Sequence, residues 1–201
     1  WSLDEMSEDA IHAHASGSEV PLSSARGLPP SGALKTPRRE EKRQEAVERG
    51  TQIHALLEGV DWLEDDNDSP FQSEDSDVAR ELASCFTEPE IRALLTRPDS
   101  EDPCELWKER AFDVLVDGKW LSGVIDRAQI HRAADGSICH VDIIDFKSDR
   151  LDSDALSGAC EQHSVQLKNY RSAVSVLLDL PPQRIVCYLV FTSLGRGLEV
   201  A

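Results

Sequence analysis

Long hydrophobic runs, closely spaced cysteines and a glycine-rich phosphate loop are all missing from this chain of 201 residues. Without about 18 consecutive apolar residues we expect no membrane-spanning helix, and the polar N-terminus lacks the apolar core of a signal peptide. The segment SLGRG near the C-terminus is interpreted as a turn, so a nucleotide-binding loop is excluded.

The five cysteines are widely spaced and form no Cys-x-x-Cys pair. This spacing argues against a zinc site or a disulfide scaffold, and it favours a reducing, cytoplasmic location. The dipeptide Cys139-His140 is interpreted as strand filler without a function.

Basic residues are scarce: 21 Lys and Arg stand against 38 Asp and Glu, giving a net charge of −17. This balance argues against a nucleic-acid partner, because phosphate binding favours a basic surface. The distribution of charge along the chain weakens this argument against nucleic acid, since residues 107–201 carry 11 Lys and Arg against 13 Asp and Glu. The acidity belongs mainly to the first half, and a metal site needs carboxylates in any case.

Composition divides the chain into an extension and one domain. Residues 1–36 are rich in Ser, Gly and Pro without sustained periodicity, which predicts a linker or irregular N-terminal extension before a domain at 37–201. The first residue is Trp rather than Met, so we expect a part of a longer polypeptide.

Periodicity and turn signals in the domain predict an α/β fold with a central mixed sheet. Glu88-Pro89 should divide the second helical region, because the residue before proline is disfavoured in the α conformation. Asp117-Gly118 is a hairpin signal between the first two strands. The predicted order is a helix at 37–61, helices within 76–96, strands at 106–115, 119–130 and 141–149, a helix at 161–180 and a strand from Arg184.

The predicted strand VDIIDFKSD, residues 141–149, carries an acid and a lysine two residues apart. Alternation makes Asp145 and Lys147 project from the same face, with Cα atoms roughly 6.5 to 7 Å apart. Buried strands rarely carry charge unless it is paired or bound, so the two residues form either a structural pair or part of a site. A carboxylate beside an ammonium suits metal-assisted hydrolysis, in which a cation activates water.

A second carboxylate is expected on a neighbouring strand, because one carboxylate holds a hard dication poorly. Asp126, in SGVIDR, occupies that position on the preceding strand. Antiparallel neighbours in register would bring the carboxylates of Asp126 and Asp145 within about 5 Å. The alternative interpretation is a surface pair between Asp126 and Arg127.

Five segments, taken in order, resemble the RecB/AddA-type nuclease domain of the PD-(D/E)XK superfamily over roughly residues 45–192. The resemblance implies a restriction-endonuclease-like core, a central mixed β-sheet flanked by helices, and Mg²⁺- or Mn²⁺-dependent cleavage of DNA. The segments are RGTQIHALLE at 49–58, ERAF at 109–112, GVIDR at 123–127, IIDFKSD at 143–149 and QLKNY at 166–170.

The resemblance also implies a role for each matching residue. Asp126 and Asp145 would bind the metal, with the imidazole of His54 and the backbone carbonyl of Phe146 as further ligands. Lys147 would orient or help deprotonate the attacking water. Apart from the resemblance, a lone histidine on a helix such as His54 is more often a structural residue than a metal ligand.

Three more residues take supporting roles in the resemblance. Gln166 and Tyr170 lie one helical turn apart and match residues that contact the DNA backbone and support the lysine; otherwise they are a polar edge of a packed helix. Glu109 fits the acid of an ERPF-like strand, with Ala111 where proline is usual, and a surface salt bridge is the alternative.

The family implies a function as the exonuclease module of a helicase–nuclease that processes DNA double-strand ends for recombinational repair. A helicase on the same polypeptide would feed it single strands, and a second nuclease-like subunit is a further expected partner. The cysteine spacing predicts no iron–sulfur cluster and argues against a CRISPR-adaptation branch. The alternative function is a catalytically silent, nuclease-like DNA-binding or scaffolding module.

Overall fold

Residues 37–63, 71, 76–98 and 103–200 are described by a computed structural model. The predicted extension at 1–36 lies outside these residues. Among the helices of the described part, none is both long and apolar enough to cross a membrane.

A five-stranded mixed sheet forms the centre of the domain, with the strands in chain order. The first three strands form an antiparallel meander, the third and fourth are parallel, and the fifth returns antiparallel to the fourth. The strands are β1 (Cys104–Val116), β2 (Lys119–Arg132), β3 (Ile138–Lys147), β4 (Ile185–Phe191) and β5 (Arg196–Val200).

The helices are α1 (Pro37–Glu58), α2 (Asp77–Cys85), α3 (Pro89–Leu95) and α4 (Leu156–Leu178). The hydroxyl of Ser76 caps α2 by accepting the N–H of Ala79 at 3.1 Å, and Pro89 begins α3, where its missing N–H costs nothing. Asp179 ends α4 in the left-handed conformation, just before the two prolines that cannot continue it.

Two hydrophobic cores cover the two faces of the sheet. Leu167, Ala173 and Val174 of α4 pack on the face that carries Ile143. The three N-terminal helices pack on the other face, against Ile144 and other apolar residues of β3 and β4. β3 is therefore buried on both faces, which explains its nearly continuous apolar sequence. The layers confirm the predicted α/β fold with helices flanking a mixed sheet.

The element boundaries differ from prediction mainly at the C-terminus. α1 ends at Glu58 rather than residue 61, and α2 and α3 separate before Pro89 as expected. Residues 192–195, which contain most of SLGRG, do form a turn, but the turn leads into β5, which was not predicted. This strand is short, contains Gly197 and two charged residues, and among the described residues pairs only with β4, so its sequence carries little strand signal.

Candidate active site

Three acidic residues lie in one row across β1, β2 and β3. The β1–β2 pairs Lys108–Arg127 and Arg110–Ile125 bracket Glu109 and Asp126, which therefore face each other. The β2–β3 register ends at the pair Arg127–Ile144, and the next step along both strands is Asp126 and Asp145. The sheet thus brings together Asp126 and Asp145, which were expected to be neighbours, and Glu109, which was expected to have only a supporting role.

The carboxylate of Asp126 is buried between like charges. Its Oδ2 accepts the backbone N–H of Phe146 at 2.8 Å and lies 3.7 Å from Nδ1 of His54. Burial, followed by the negative charge of Asp145, raises the pKa of Asp126 from 3.8 to about 7, although His54 and the Phe146 N–H oppose the shift. A raised carboxyl pKa means that burial and neighbouring negative charge disfavour the ionised carboxylate. A bound cation would offset both effects, so the shift marks Asp126 as a candidate site residue.

Asp145 and Lys147 point to the same face, as the alternation of β3 requires. The ammonium of Lys147 lies 2.6 Å from Oδ2 of Asp145, whose side chain is 2% exposed. No donor among the described residues makes a well-aligned hydrogen bond to this buried oxygen, so the lysine contact is an ion pair of imperfect geometry. Asp145 Oδ2 therefore retains capacity to accept a further ligand.

A chain of hydrogen bonds continues from Lys147 to α4. Lys147 Nζ donates to Oε1 of Gln166 at 3.0 Å, and Nε2 of Gln166 donates to the Tyr170 hydroxyl at 2.6 Å. The ring of Tyr170 is fixed by an edge-to-face contact with Phe112, at 5.6 Å between centroids. Helical spacing brings Gln166 and Tyr170 together, and this pair in turn sets the position of the ammonium.

His54 reaches the row of acids from α1. Its Nδ1 lies 3.4 Å from Oε1 of Glu109, and these atoms, together with a carboxylate oxygen of Asp126, fall within 4.8 Å of one another. Glu109 has φ 43°, a left-handed conformation that is uncommon for a non-glycine residue and that interrupts the β1–β2 ladder. A strained backbone in line with the acids is typical of functional sites.

Phe146 presents only its backbone to the row of acids. Its side chain is 4% exposed and belongs to the core beneath the N-terminal helices. Its backbone N–H donates a hydrogen bond to the carboxylate of Asp126. The carbonyl predicted as a metal ligand thus belongs to a residue held rigidly from both sides.

The alternative of a surface pair between Asp126 and Arg127 is wrong, because alternation places the two side chains on opposite faces of β2. Arg127 is 2% exposed and donates to the backbone carbonyls of Val60 and Asp61. Its guanidinium lies 5.0 Å from the ring centroid of Trp62. Arg127 therefore anchors the segment after α1 to the sheet.

A polar network absent from the sequence prediction fixes the end of β3. Thr192 donates through its N–H to the carbonyl of Lys147 at 3.0 Å and through its hydroxyl to Oε1 of Glu81 at 2.8 Å. Arg49 joins Glu81 to the carbonyl of Ser148. An ideal Cβ on Gly50, within α1, would lie 3.1 Å from Oγ of Ser148, so the helix and the Ser148 side chain approach each other closely at this glycine. Glu81 and Thr192 lie outside the five segments that carry the family resemblance, whereas Arg49 and Ser148 lie within them.

His163 of α4 is a second residue that the sequence prediction missed. Its Nε2 lies 3.8 Å from Oδ2 of Asp149. Burial, and then the positive charge of Lys147, lowers the pKa of His163. A neutral imidazole is thereby held near the ammonium at the end of β3.

The donor atoms in the row fit a hard divalent cation. His54, Glu109 and Asp126 each place one donor atom within 4.8 Å of the others, and Asp145 lies next to Asp126 across the sheet. Such carboxylate-rich surroundings are what Mg²⁺ and Mn²⁺ prefer. The raised pKa of Asp126 and the unaligned buried oxygen of Asp145 are two features that a bound cation relieves.

Comparison with known proteins gives one family match. The sequence profile of the PD-(D/E)XK nuclease superfamily matches residues 25–194. None of the curated proteins matches the chain with significance.

Proposed function

Because the chain belongs to the PD-(D/E)XK nuclease superfamily, we propose that it is a deoxyribonuclease whose active site is the row of acids with Lys147. The observation that carries this proposal is the contact of Lys147 with Asp145 at 2.6 Å. Asp145 in turn lies opposite Asp126, one step beyond the last β2–β3 pair. Two carboxylates that could hold a cation, with an ammonium beside them, suit metal-assisted hydrolysis of a phosphodiester.

Each side chain has a separate task in the proposed reaction. Asp126 and Asp145 hold the cation, with His54, Glu109 and the Phe146 carbonyl completing its surroundings. A bound Mg²⁺ or Mn²⁺ supplies activation of water and neutralises charge on the phosphate.

The ammonium of Lys147 orients the attacking water and stabilises the negative charge that develops on the phosphate oxygens. Gln166 and Tyr170 keep that ammonium in place. Cleavage is proposed to leave a 5′-phosphate.

The finer assignment is an exonuclease of RecB/AddA type, working as the nuclease module of a helicase–nuclease on DNA double-strand ends. It is supported by the motif set around His54, Asp126, Asp145 and Gln166. The net charge of −17 is compatible with a module that receives single strands from a helicase rather than capturing duplex by itself. Five free cysteines support a reducing compartment.

The direct test is cleavage of labelled DNA by the purified chain in Mg²⁺, Mn²⁺ or EDTA. Asp145→Ala removes a proposed metal ligand, and Asp135→Ala, on the exposed β2–β3 turn, removes one carboxylate elsewhere. We expect metal-dependent cleavage that is lost in Asp145→Ala and kept in Asp135→Ala. Comparing linear with circular single-stranded substrate tests the exonuclease assignment, since an exonuclease needs an end.

Two outcomes would contradict the proposal. Cleavage that persists in Asp145→Ala would remove the row of acids from the mechanism. Metal binding without cleavage of any substrate, with or without a helicase supplied in trans, would instead favour a silent DNA-binding or scaffolding module.

A further inference from the structure

A second group of metal-type ligands lies at the opposite end of β2 and β3. His131 and His140 are cross-strand partners, and Asp142 follows two residues later on the same face as His140. Asp126 and His131 are five residues apart on β2, so this cluster lies about 17 Å from the row of acids. It is therefore separate from the proposed active site.

Three donor atoms of the cluster converge. Nε2 of His131 lies 3.1 Å and Nε2 of His140 lies 3.6 Å from the same oxygen, Oδ2 of Asp142. One donor atom from each residue falls within 4.8 Å of the others. Tetrahedral Zn²⁺ with ligands at about 2.0 to 2.1 Å requires ligand separations of about 3.3 to 3.4 Å. The two measured separations lie on either side of that value.

The second histidine distinguishes this cluster from a simple structural hydrogen bond. One imidazole would satisfy Asp142, yet the side chain of His140, 45% exposed and able to turn to solvent, lies parallel to His131 at 3.9 Å between centroids. Burial and the proximity of His140 lower the pKa of His131, which favours the neutral imidazole that binds metals. The stacked rings must tilt on binding, because a metal lies in the plane of each imidazole.

A route to solvent is also present. His131 and Asp142 form part of the wall of a cavity of about 550 Å³ beside α3. Arg97 lines the same cavity, but its guanidinium stacks over the Trp62 ring at 5.4 Å. The cavity thus leaves room for a water molecule as the fourth ligand.

We propose that His131, His140 and Asp142 form a Zn²⁺ site with two imidazoles and one carboxylate, distinct from the oxygen-rich catalytic site. The ligand sets predict a division of metals: borderline Zn²⁺ at the imidazoles and hard Mg²⁺ or Mn²⁺ at the carboxylates. Bound zinc links β2 to β3 where their register shifts, between His131 and Arg132. The wide cysteine spacing argues against a cysteine-ligated zinc site and does not bear on one built from two imidazoles and a carboxylate.

The test uses the complete, tag-free chain carrying Asp126→Asn and Asp145→Asn, which removes the two carboxylates proposed to hold the catalytic cation. Zn²⁺ is titrated in competition with a chromophoric chelator, and thermal unfolding is followed with Zn²⁺ and with EDTA. We expect one Zn²⁺ per chain and a Tm that rises with Zn²⁺. Co²⁺ used as a spectroscopic probe should give the intense visible absorption of a four-coordinate ion.

Adding His140→Asn to this background should weaken Zn²⁺ binding at least about tenfold, the range seen even for outer-shell changes. Cys139→Ser, at the adjacent exposed position, is the matched control and should leave the affinity unchanged. His140 is 45% exposed and His131 only 17%, so a substitution of His140 is less disruptive to folding than one of His131. The proposal is overturned if the background protein binds no Zn²⁺ in excess metal, if His140→Asn binds as tightly, or if Co²⁺ is six-coordinate.

Discussion

The side chain of Asp126 replaces a backbone partner: its carboxylate accepts the N–H of Phe146 at 2.8 Å, just beyond the last β2–β3 pair. This bond holds the carboxylate against β3, where the side chain is only 11% exposed. It also helps to keep the carboxylate ionised, against the opposing effects of burial and of Asp145. The balance of these effects makes Asp126 sensitive to pH and to cations.

Without metal, the stability of the protein should fall as pH rises from about 4 to about 7. The pKa of Asp126 is raised from 3.8 to about 7 in the folded chain, so in this window the folded state holds a proton that the unfolded state has lost. Linkage then removes up to about 1.4 kcal/mol of stability per pH unit. Thermal unfolding in EDTA from pH 4 to pH 8 measures the effect.

Asp126→Asn is the control for this titration, since the amide keeps the shape and carries no proton to lose. Its Tm should decline less over the window, and Mg²⁺ should stabilise the wild type more at pH 8 than at pH 5, where the proton competes. Equal declines in variant and wild type would show that Asp126 does not titrate in this range.

Glu109→Gln should weaken Mg²⁺ or Mn²⁺ binding by roughly 10- to 100-fold while preserving the fold. The amide keeps the length of the side chain and can still contact His54, but it removes one negative charge from the row. Cation titration followed by thermal shift measures the change. Glu105→Gln on the same strand is the matched control, and an unchanged affinity in Glu109→Gln would leave Glu109 as a salt-bridge partner of His54.

Much of the fold follows from local sequence rules, and so do the contacts that lie within one element. Alternation predicts that Asp145 and Lys147 share a face, and helical spacing predicts that Gln166 meets Tyr170. The four longer strands have strong apolar patterns, whereas β5 has little pattern beyond its pairing with β4.

Contacts between distant segments could not be predicted in this way. The network of Arg49, Glu81 and Thr192 joins two helices to the end of a strand across up to 111 residues of sequence. The pairing of His131 with His140 depends on the β2–β3 register, which turn signals alone do not specify. Periodicity describes which face a residue occupies, but not what lies opposite it.

Lys147→Ala should reduce cleavage by about 10²- to 10³-fold, the usual contribution of one group that stabilises developing negative charge. The protein should remain folded, because the freed carboxylate of Asp145 can bind a cation. Single-turnover cleavage and circular dichroism test the two parts. Lys119→Ala, at the exposed start of β2, should behave as wild type, and an active Lys147→Ala protein would refute the assigned role.

Tyr170→Phe should lower kcat by roughly 2- to 10-fold with little change in metal affinity. The hydroxyl is the acceptor of the Gln166 amide at 2.6 Å, and one neutral hydrogen bond contributes about 0.5 to 1.5 kcal/mol. A lower kcat with unchanged metal affinity identifies a positioning role for Tyr170, since the metal ligands are untouched. A rise in KM at constant kcat would instead indicate that Tyr170 binds the DNA.

Gly123→Ala should impair both stability and cleavage, although Gly123 bears no functional group. A Cβ there would lie 3.0 Å from the Phe112 ring and 3.1 Å from that of Tyr170, and overpacking of this kind costs about 1 to 3 kcal/mol. Relief requires the tyrosine to move, which disturbs its bond to Gln166. Gly158→Ala is the matched control, because a Cβ at this helical position meets nothing within 4 Å. It should be neutral or stabilising by up to about 1 kcal/mol. If Gly123→Ala cleaved DNA at the wild-type rate, the position of Tyr170 would not control the lysine.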